Sequence, residues 1–139
     1  MRVSIYYIGK SRDAGLNRAA EEYVKRTSRY ANCEMREIRR ERADPWQKHP
    51  QATVALLDAA GRAMDSAQFT GFVAKAEREA RDLVFVVGGA DGLPAGWRER
   101  AGLLLSLSPM TLPHELARVM LAEQIYRAFT SLRGHPYPR

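Results

Sequence analysis

Leu83-Val84-Phe85-Val86-Val87, followed at once by Gly88-Gly89-Ala90-Asp91-Gly92-Leu93-Pro94, is the stretch that decides the fold class. Five apolar residues without alternation describe a strand covered on both faces, which belongs in the middle of a parallel sheet. The glycines after it mark a turn at the strand's C-terminal end, where open α/β sheets bind ligands. Outward from this point the chain alternates short β-branched runs with amphipathic segments. Arg2 to Ile8, Cys33 to Ile38 and Ala52 to Leu57 read as strands, and Leu103 to Leu107 as a further central strand. Asp13 reads as the N-cap of a helix from Ala14 to about Tyr30, Ser66 as the cap of one reaching Arg81, and another helix is expected near Trp97 to Ala101. A turn is expected around Gly61. Arg39 to Gln51 is charged, carries Pro45 and Pro50, and reads as an exposed connection. This βαβ order, in 139 residues without internal repeat, predicts a single α/β domain with a mostly parallel sheet flanked by helices.

A long last helix is expected after Pro113, ending near Leu132-Arg133-Gly134. At about 100° per residue, Leu116, Val119, Met120, Leu121, Ile125, Tyr126, Phe129 and Leu132 spread around nearly its whole circumference. Arg118, Glu123, Gln124 and Arg127 remain as isolated polar positions. Such a helix has no broad solvated face. It is either buried deep within one chain or covered on its outer side by a second copy, and in a small domain the second copy is the simpler cover.

The charge has both a composition and a place. Lysine and arginine number 22 against 16 acidic residues, and all but four of the 22 are arginine, the better fork for phosphate. Positions 1 to 42 hold eleven basic residues and six acidic ones, so most of the net +6 sits there. That asymmetry points to a polyanionic partner, although arginines coating solvated faces would give the same composition. The lone Cys33 excludes an internal disulfide and a multi-thiolate zinc site. Neither a secretion signal nor an apolar run long enough to span a bilayer is read, so the expectation is a cytoplasmic protein with no membrane association.

Several kinds of active site lack the residues they need. His49, His114 and His135 form no HxxxH or HExxH pair, and no acidic or thiol cluster supplies further ligands, so no metal is expected. There is no GxSxG elbow. The glycine cluster reads GGxxG, which meets neither the dinucleotide fingerprint nor the Walker loop. A second loop, Leu107-Ser108-Pro109-Met110-Thr111-Leu112-Pro113-His114, follows the next strand. Together the two loops could frame a pocket with backbone donors and apolar walls, and a pair of structural turns is the plainer alternative. The tail His135-Pro136-Tyr137-Pro138-Arg139 is rich in polar chemistry for a chain end, where fraying is otherwise expected.

Taken in order, these pieces carry a resemblance. Leu56-Leu57-Asp58 with Gly61, then Val87 to Leu93, then Leu105-Ser106-Leu107-Ser108-Pro109-Met110-Thr111-Leu112-Pro113-His114-Glu115-Leu116-Ala117-Arg118, then Ala122-Glu123-Gln124-Ile125-Tyr126-Arg127-Ala128, then His135-Pro136-Tyr137 span essentially the whole chain. This succession resembles the SPOUT-superfamily enzymes that methylate a pseudouridine of bacterial large-subunit ribosomal RNA. The resemblance implies a single SPOUT domain over residues 1–139, with a C-terminal trefoil knot within about 83–139, an exception to the rule that chains do not thread. It implies S-adenosylmethionine as cofactor, held by residues matching Leu57, Gly88, Leu107, Ser108, Pro109, Met110, Thr111 and Leu112. It further implies a homodimer acting on N3 of a pseudouridine in 23S rRNA of the assembled 70S ribosome, with no role for DNA. His135, Tyr137 and Arg139 of the tail, with His114 and Arg127, are the candidates to hold the target base or take its proton.

The chain departs from the family pattern in three places. Family tails commonly read His-Pro-Tyr-His, and here Pro138 stands in the last position. The segment Arg39 to Gln51 is compressed where relatives carry an additional helix. Pro109 removes one peptide N–H from the cofactor loop. Two other functions are compatible with the residues: an RNA- or ribosome-binding protein without catalysis, and a flavodoxin-like module binding a phosphorylated nucleotide at the glycine turn.

Overall fold

The computed structural model describes residues 1–137. Five parallel strands, β1 (Arg2–Ile8), β2 (Asn32–Ile38), β3 (Thr53–Ala63), β4 (Leu83–Val87) and β5 (Leu103–Ser106), form one sheet in the order β2-β1-β4-β3-β5. The all-apolar β4 is the middle strand and is buried along its whole length, as a strand covered on both faces must be.

Period-two alternation sorts the strand residues between two layers. Val3, Ile5, Ala55, Leu83, Phe85, Val87 and Leu105 face one way, packing against the helices α1 (Ala14–Thr27), α3 (Ser66–Arg78) and α5 (His114–Leu132). Tyr6, Ile8, Val54, Leu56, Val84 and Val86 face the other way, covered by two short helices, α2 (Pro45–Lys48) and α4 (Trp97–Arg100), through Trp46 and Trp97. The two indole rings meet edge to face at 5.5 Å, with the Arg100 guanidinium 4.3 Å from the Trp46 ring centre.

The helix termini follow local chemistry. The Asp13 carboxylate accepts from Leu16 N at 2.9 Å, the expected cap of α1. That helix stops at Thr27, three residues short of the expected end. The Thr27 and Ser28 hydroxyls donate back to the Tyr23 and Val24 carbonyls there, which favours a turn into β2. Asp65, one residue before the expected Ser66, caps α3. It forms a reciprocal box with Gln68, each side chain bonding the other's backbone N–H at 2.7 and 2.8 Å.

Three further expectations are corrected. The connection Arg39 to Gln51 is not merely an exposed loop: Asp44 caps α2, Pro45 is buried, and the segment roofs one face of the sheet. No turn lies at Gly61, because β3 continues to Ala63 through an irregularity that pairs both Leu57 and Arg62 with Leu105. Gly61 is needed there for space: a Cβ would lie 2.6 Å from the Leu104 carbonyl oxygen. Finally, β5 is an edge strand. It is apolar because Leu105 packs under the helices and Leu104 under the Trp97 layer, so an edge position coexists with cover on both faces.

Candidate functional site

Two loops at the C-terminal edge of the sheet face each other across a cavity of about 640 Å³. One is the glycine turn after β4. Gly92 N donates to the Gly89 carbonyl at 3.0 Å, Gly92 takes a left-handed φ of +72°, and a Cβ on Gly89 would lie 2.6 Å from the Ile8 carbonyl oxygen. Backbone proximity to β1 therefore demands glycine at 89. The other is the Leu107–Pro113 loop between β5 and α5. Ser108 Oγ accepts from Met110 N at 3.0 Å, and the buried Ser106 hydroxyl lies 3.0 Å from the carbonyls of both Ala59 and Ser108. Ser106 thus joins this loop to the irregular stretch of β3.

Of the cofactor candidates, Leu57, Gly88, Leu107, Ser108, Met110, Thr111 and Leu112 line this one cavity, and Pro109 does not. Leu57, Val87, Leu105, Leu107 and Leu112 supply apolar walls, while Met110 is 74% exposed at the mouth. The candidates for substrate chemistry are divided. His114, the first residue of α5, lines the cavity. Arg127 lies thirteen residues further along the same helix, about 20 Å away at 1.5 Å per residue. Tyr137 lies with Arg127: its hydroxyl donates to Glu123 at 2.5 Å, and its ring sits 4.8 Å from that of Tyr126. Arg127 pairs with the same Glu123 at 2.7 Å. His135 is exposed and holds the tail turn by accepting from Tyr137 N at Nδ1, 3.1 Å. Arg139, like Pro138, lies outside the described residues. Burial, reinforced by the bond to Glu123, pushes the Tyr137 hydroxyl well above its usual range; it is a donor in this position and a poor base.

Several participants escape sequence reasoning. Asp58 leaves the β3 ladder at its irregularity, accepts from Ala60 N at 2.9 Å and pairs with Arg98 at 2.8 Å on the cavity wall. Arg40 donates to the carbonyls of Gly92 and Leu93 at 2.6 and 3.1 Å, clamping the glycine turn from the β2 side. Arg118, one of the isolated polar positions on α5, is 1% exposed. Its guanidinium lies 3.7 Å from the Tyr7 ring centre, donates to Asn17 Oδ1 at 3.1 Å and to Ser11 Oγ at 3.3 Å, and faces Glu115 at 3.6 Å. Glu115 in turn accepts from the backbone N–H groups of Arg12 and Asp13, which hold its carboxyl below the ordinary range. The start of α5, at the cavity, is thereby locked to the loop after β1. No spacing rule connects residues a hundred positions apart.

Cys33 is buried on β2, and desolvation pushes its thiol up to about 12, so it stays protonated and unreactive. Among the described residues no group of three His, Cys, Asp or Glu side chains could hold a metal ion, and no helix is long and apolar enough to cross a membrane.

Comparison with known proteins agrees with this architecture. A family model described as "Predicted SPOUT methyltransferase" matches residues 1–138. The chain is 59% identical over 139 residues to the ribosomal RNA large subunit methyltransferase H of Solibacter usitatus, covering 100% of both chains. It is 41% identical to the protein of the same name from Gemmatimonas aurantiaca, over an alignment of 152 residues covering 99% of each. Among solved structures, a putative methylase family protein from Neisseria gonorrhoeae has a similar fold, with a TM-score of 0.58 and 12% identity over 89% of this chain and 81% of that one. On its sequence along nearly the whole length, and on a parallel α/β sheet in agreement with that fold, the chain belongs to the SPOUT methyltransferase family.

Proposed function

We propose that this protein methylates N3 of a pseudouridine in the 23S rRNA of assembled 70S ribosomes, with S-adenosylmethionine as methyl donor, as a cytoplasmic homodimer. The observation that carries this reading is the 59% identity, from end to end, to a ribosomal RNA large subunit methyltransferase H. A single SPOUT domain over 1–139, knotted within about 83–139, goes with it.

The cavity residues fit S-adenosylmethionine. A volume of about 640 Å³ lies within the range of small-molecule sites, roughly 300–1,000 Å³. Leu57, Leu107 and Leu112 offer apolar walls to an adenine ring, the two loops offer backbone donors and acceptors to its edge, and Asp58 and Asp91 stand on the lining for an ammonium or ribose hydroxyls. Gly88 and residues Leu107 to Leu112 would hold it, with the peptide groups around Pro109 making the contact that proline cannot donate. When bound, S-adenosylmethionine supplies an electrophilic methyl group on a sulfonium and leaves as an uncharged thioether.

The work left to the chain is to hold N3 in line and to receive its proton. Each unit by which the N3 pKa exceeds ambient pH costs about 1.36 kcal/mol, so a base or a nearby cation lowers the barrier directly. His114 stands at the cavity. Arg127, His135 and Tyr137 belong to the far end of α5 and the tail, so one chain's tail, with Arg139 as its remaining candidate, serves its partner's cavity better than its own. The outer side of α5, carrying Leu116 at 37% exposure and Met120, is the surface through which two copies would meet.

The test is transfer of labelled methyl from S-adenosylmethionine to ribosomes lacking the modification, with naked rRNA and free subunits in parallel. Label in one pseudouridine of intact ribosomes is the expected result. Cofactor binding without transfer would mean another RNA target, and neither binding nor transfer would leave a non-catalytic RNA-binding protein.

A further inference from the structure

A second cavity, of about 420 Å³, opens on the sheet face that carries α2, beside β1 and β2. Tyr6, Ile38, Ala43 and Pro45 line its apolar part, and Arg39, Arg42 and Lys48 bring three cations to it. Among the described residues none of these three cations has a carboxylate partner, although their neighbours do: Arg36 pairs with Glu34, and Arg100 with Asp44. Lys48 instead sits over the Tyr6 ring at 5.4 Å. The one carboxylate on the lining, Asp44, is engaged in capping α2 through the N–H groups of Trp46 and Gln47, both at 3.1 Å. Glu37 and Glu41 lie on the same segment and do not line the cavity.

The same segment reaches the methyl-donor cavity. Arg40, between Arg39 and Arg42, turns the other way and donates to Gly92 and Leu93, which line that cavity. Arg40 thus ties the segment that carries Arg39 and Arg42 to the glycine turn. We infer that the cavity of Tyr6, Ile38, Pro45, Arg39, Arg42 and Lys48 binds a nucleotide of single-stranded RNA next to the methylated one, its base on the apolar part and its phosphates among the three cations. This rests on the rRNA reading above. A nucleotide is the ligand that uses both halves of the cavity: free phosphate would leave the apolar floor idle, and an acidic peptide brings no flat apolar face.

The experiment uses the full chain and a fluorescent short single-stranded oligoribonucleotide, with binding followed by anisotropy across a salt series. Relative to the unmodified protein, the triple variant Arg39→Ala, Arg42→Ala, Lys48→Ala is expected to bind at least tenfold more weakly. Its dependence of log Kd on log salt should be shallower by up to about two, since each single-strand phosphate contact contributes roughly 0.7. A control removing equal charge elsewhere, Arg29→Ala, Lys75→Ala, Arg78→Ala, should bind as the unmodified protein does, and Arg42→Glu alone should reproduce much of the loss. An abasic oligomer of the same length should bind more weakly to the unmodified protein and equally poorly to the triple variant. Undiminished RNA binding by a folded triple variant would overturn the assignment, as would equally tight binding of abasic oligomer, heparin or polyglutamate. Failure of methyl transfer with the RNA-binding loss intact would remove the proposed reaction and keep this site; transfer with RNA binding indifferent to the triple variant would do the reverse.

Discussion

Arg118 shows how much one side chain can hold. It is a fully buried cation whose partners come from β1, the β1–α1 loop, α1 and α5 itself. Truncation would leave the Tyr7 ring and Glu115 without their cation, and losing one member of such a buried set costs about 3–5 kcal/mol. Arg118→Ala is therefore expected to lower the urea midpoint severely, and Arg118→Lys to recover only part, since an ammonium lacks the planar fork and stacks poorly. A change below about 1 kcal/mol would mean that the network carries little of the fold. The glycines permit a sharper test, because two of them predict opposite signs. Gly89→Ala drives a Cβ to 2.6 Å from a backbone oxygen and should cost roughly 1–3 kcal/mol while weakening S-adenosylmethionine binding. Gly71→Ala, inside α3 with nothing within 4 Å of the added Cβ, should stabilise by about 0.5–1 kcal/mol. Thermal melts of both variants check the pair together.

At the scale of elements, the short α2 acts as an adapter between β2 and the second face of the sheet. His49, which caps its C-terminus, lies against Tyr6, the two sharing a 2.6 Å hydrogen bond between the hydroxyl and Nε2. Burial, and then the neighbouring Lys48, lower the His49 pKa below its ordinary 6.5. The folded state thus holds this proton less readily than the unfolded chain does. Stability attributable to His49 is full above about pH 6.5, falls as pH drops through the window between the unfolded and folded values, and levels off once the folded form is protonated. Urea midpoints between pH 7.5 and 5.5 should fall more for the unmodified protein than for His49→Gln, whose amide keeps an acceptor for Tyr6. Equal slopes would remove His49 from the acid response.

For the whole molecule, the division between cavity and tail is the main consequence of the fold. His114 opens α5 at the cavity, while Arg127, Glu123 and Tyr137 form a group near its other end. If two chains share each site, deleting His135 to Arg139 should leave S-adenosylmethionine binding intact and reduce transfer at least roughly 10²-fold, the scale of a lost proton acceptor. Mixing the truncated chain with a full-length chain blocked at the cavity by Gly89→Ala should then restore part of the activity, because a mixed dimer contains one intact cavity facing one intact tail. Met120→Glu, on the outer side of α5, should shift sedimentation towards monomer and lose transfer with it. Recovery of transfer by a monomer would show that one chain completes its own site.

Strand order was open to the sequence only at its centre: Leu83 to Val87 can sit nowhere but under two covering layers, since water on either face would meet unbroken apolar surface. The Asp13 cap was legible for a similar local reason, and the expected Ser66 missed Asp65 by one residue because both are good caps and Asp65 is the one that closes a reciprocal box with Gln68. That the two loops could frame one pocket was also legible, because in a parallel sheet every loop after a strand emerges at the same edge, although Pro109 does not line it. Tertiary structure alone decided what depends on distant chain segments meeting. Leu103 to Leu105 is apolar yet lies at the edge, Gly61 yields to the Leu104 carbonyl, Arg118 is buried among partners from β1, α1 and α5, and Arg40 bonds carbonyls 52 and 53 residues away. Periodicity reports how each segment divides between solvent and core, and it holds no record of which other segment supplies that core.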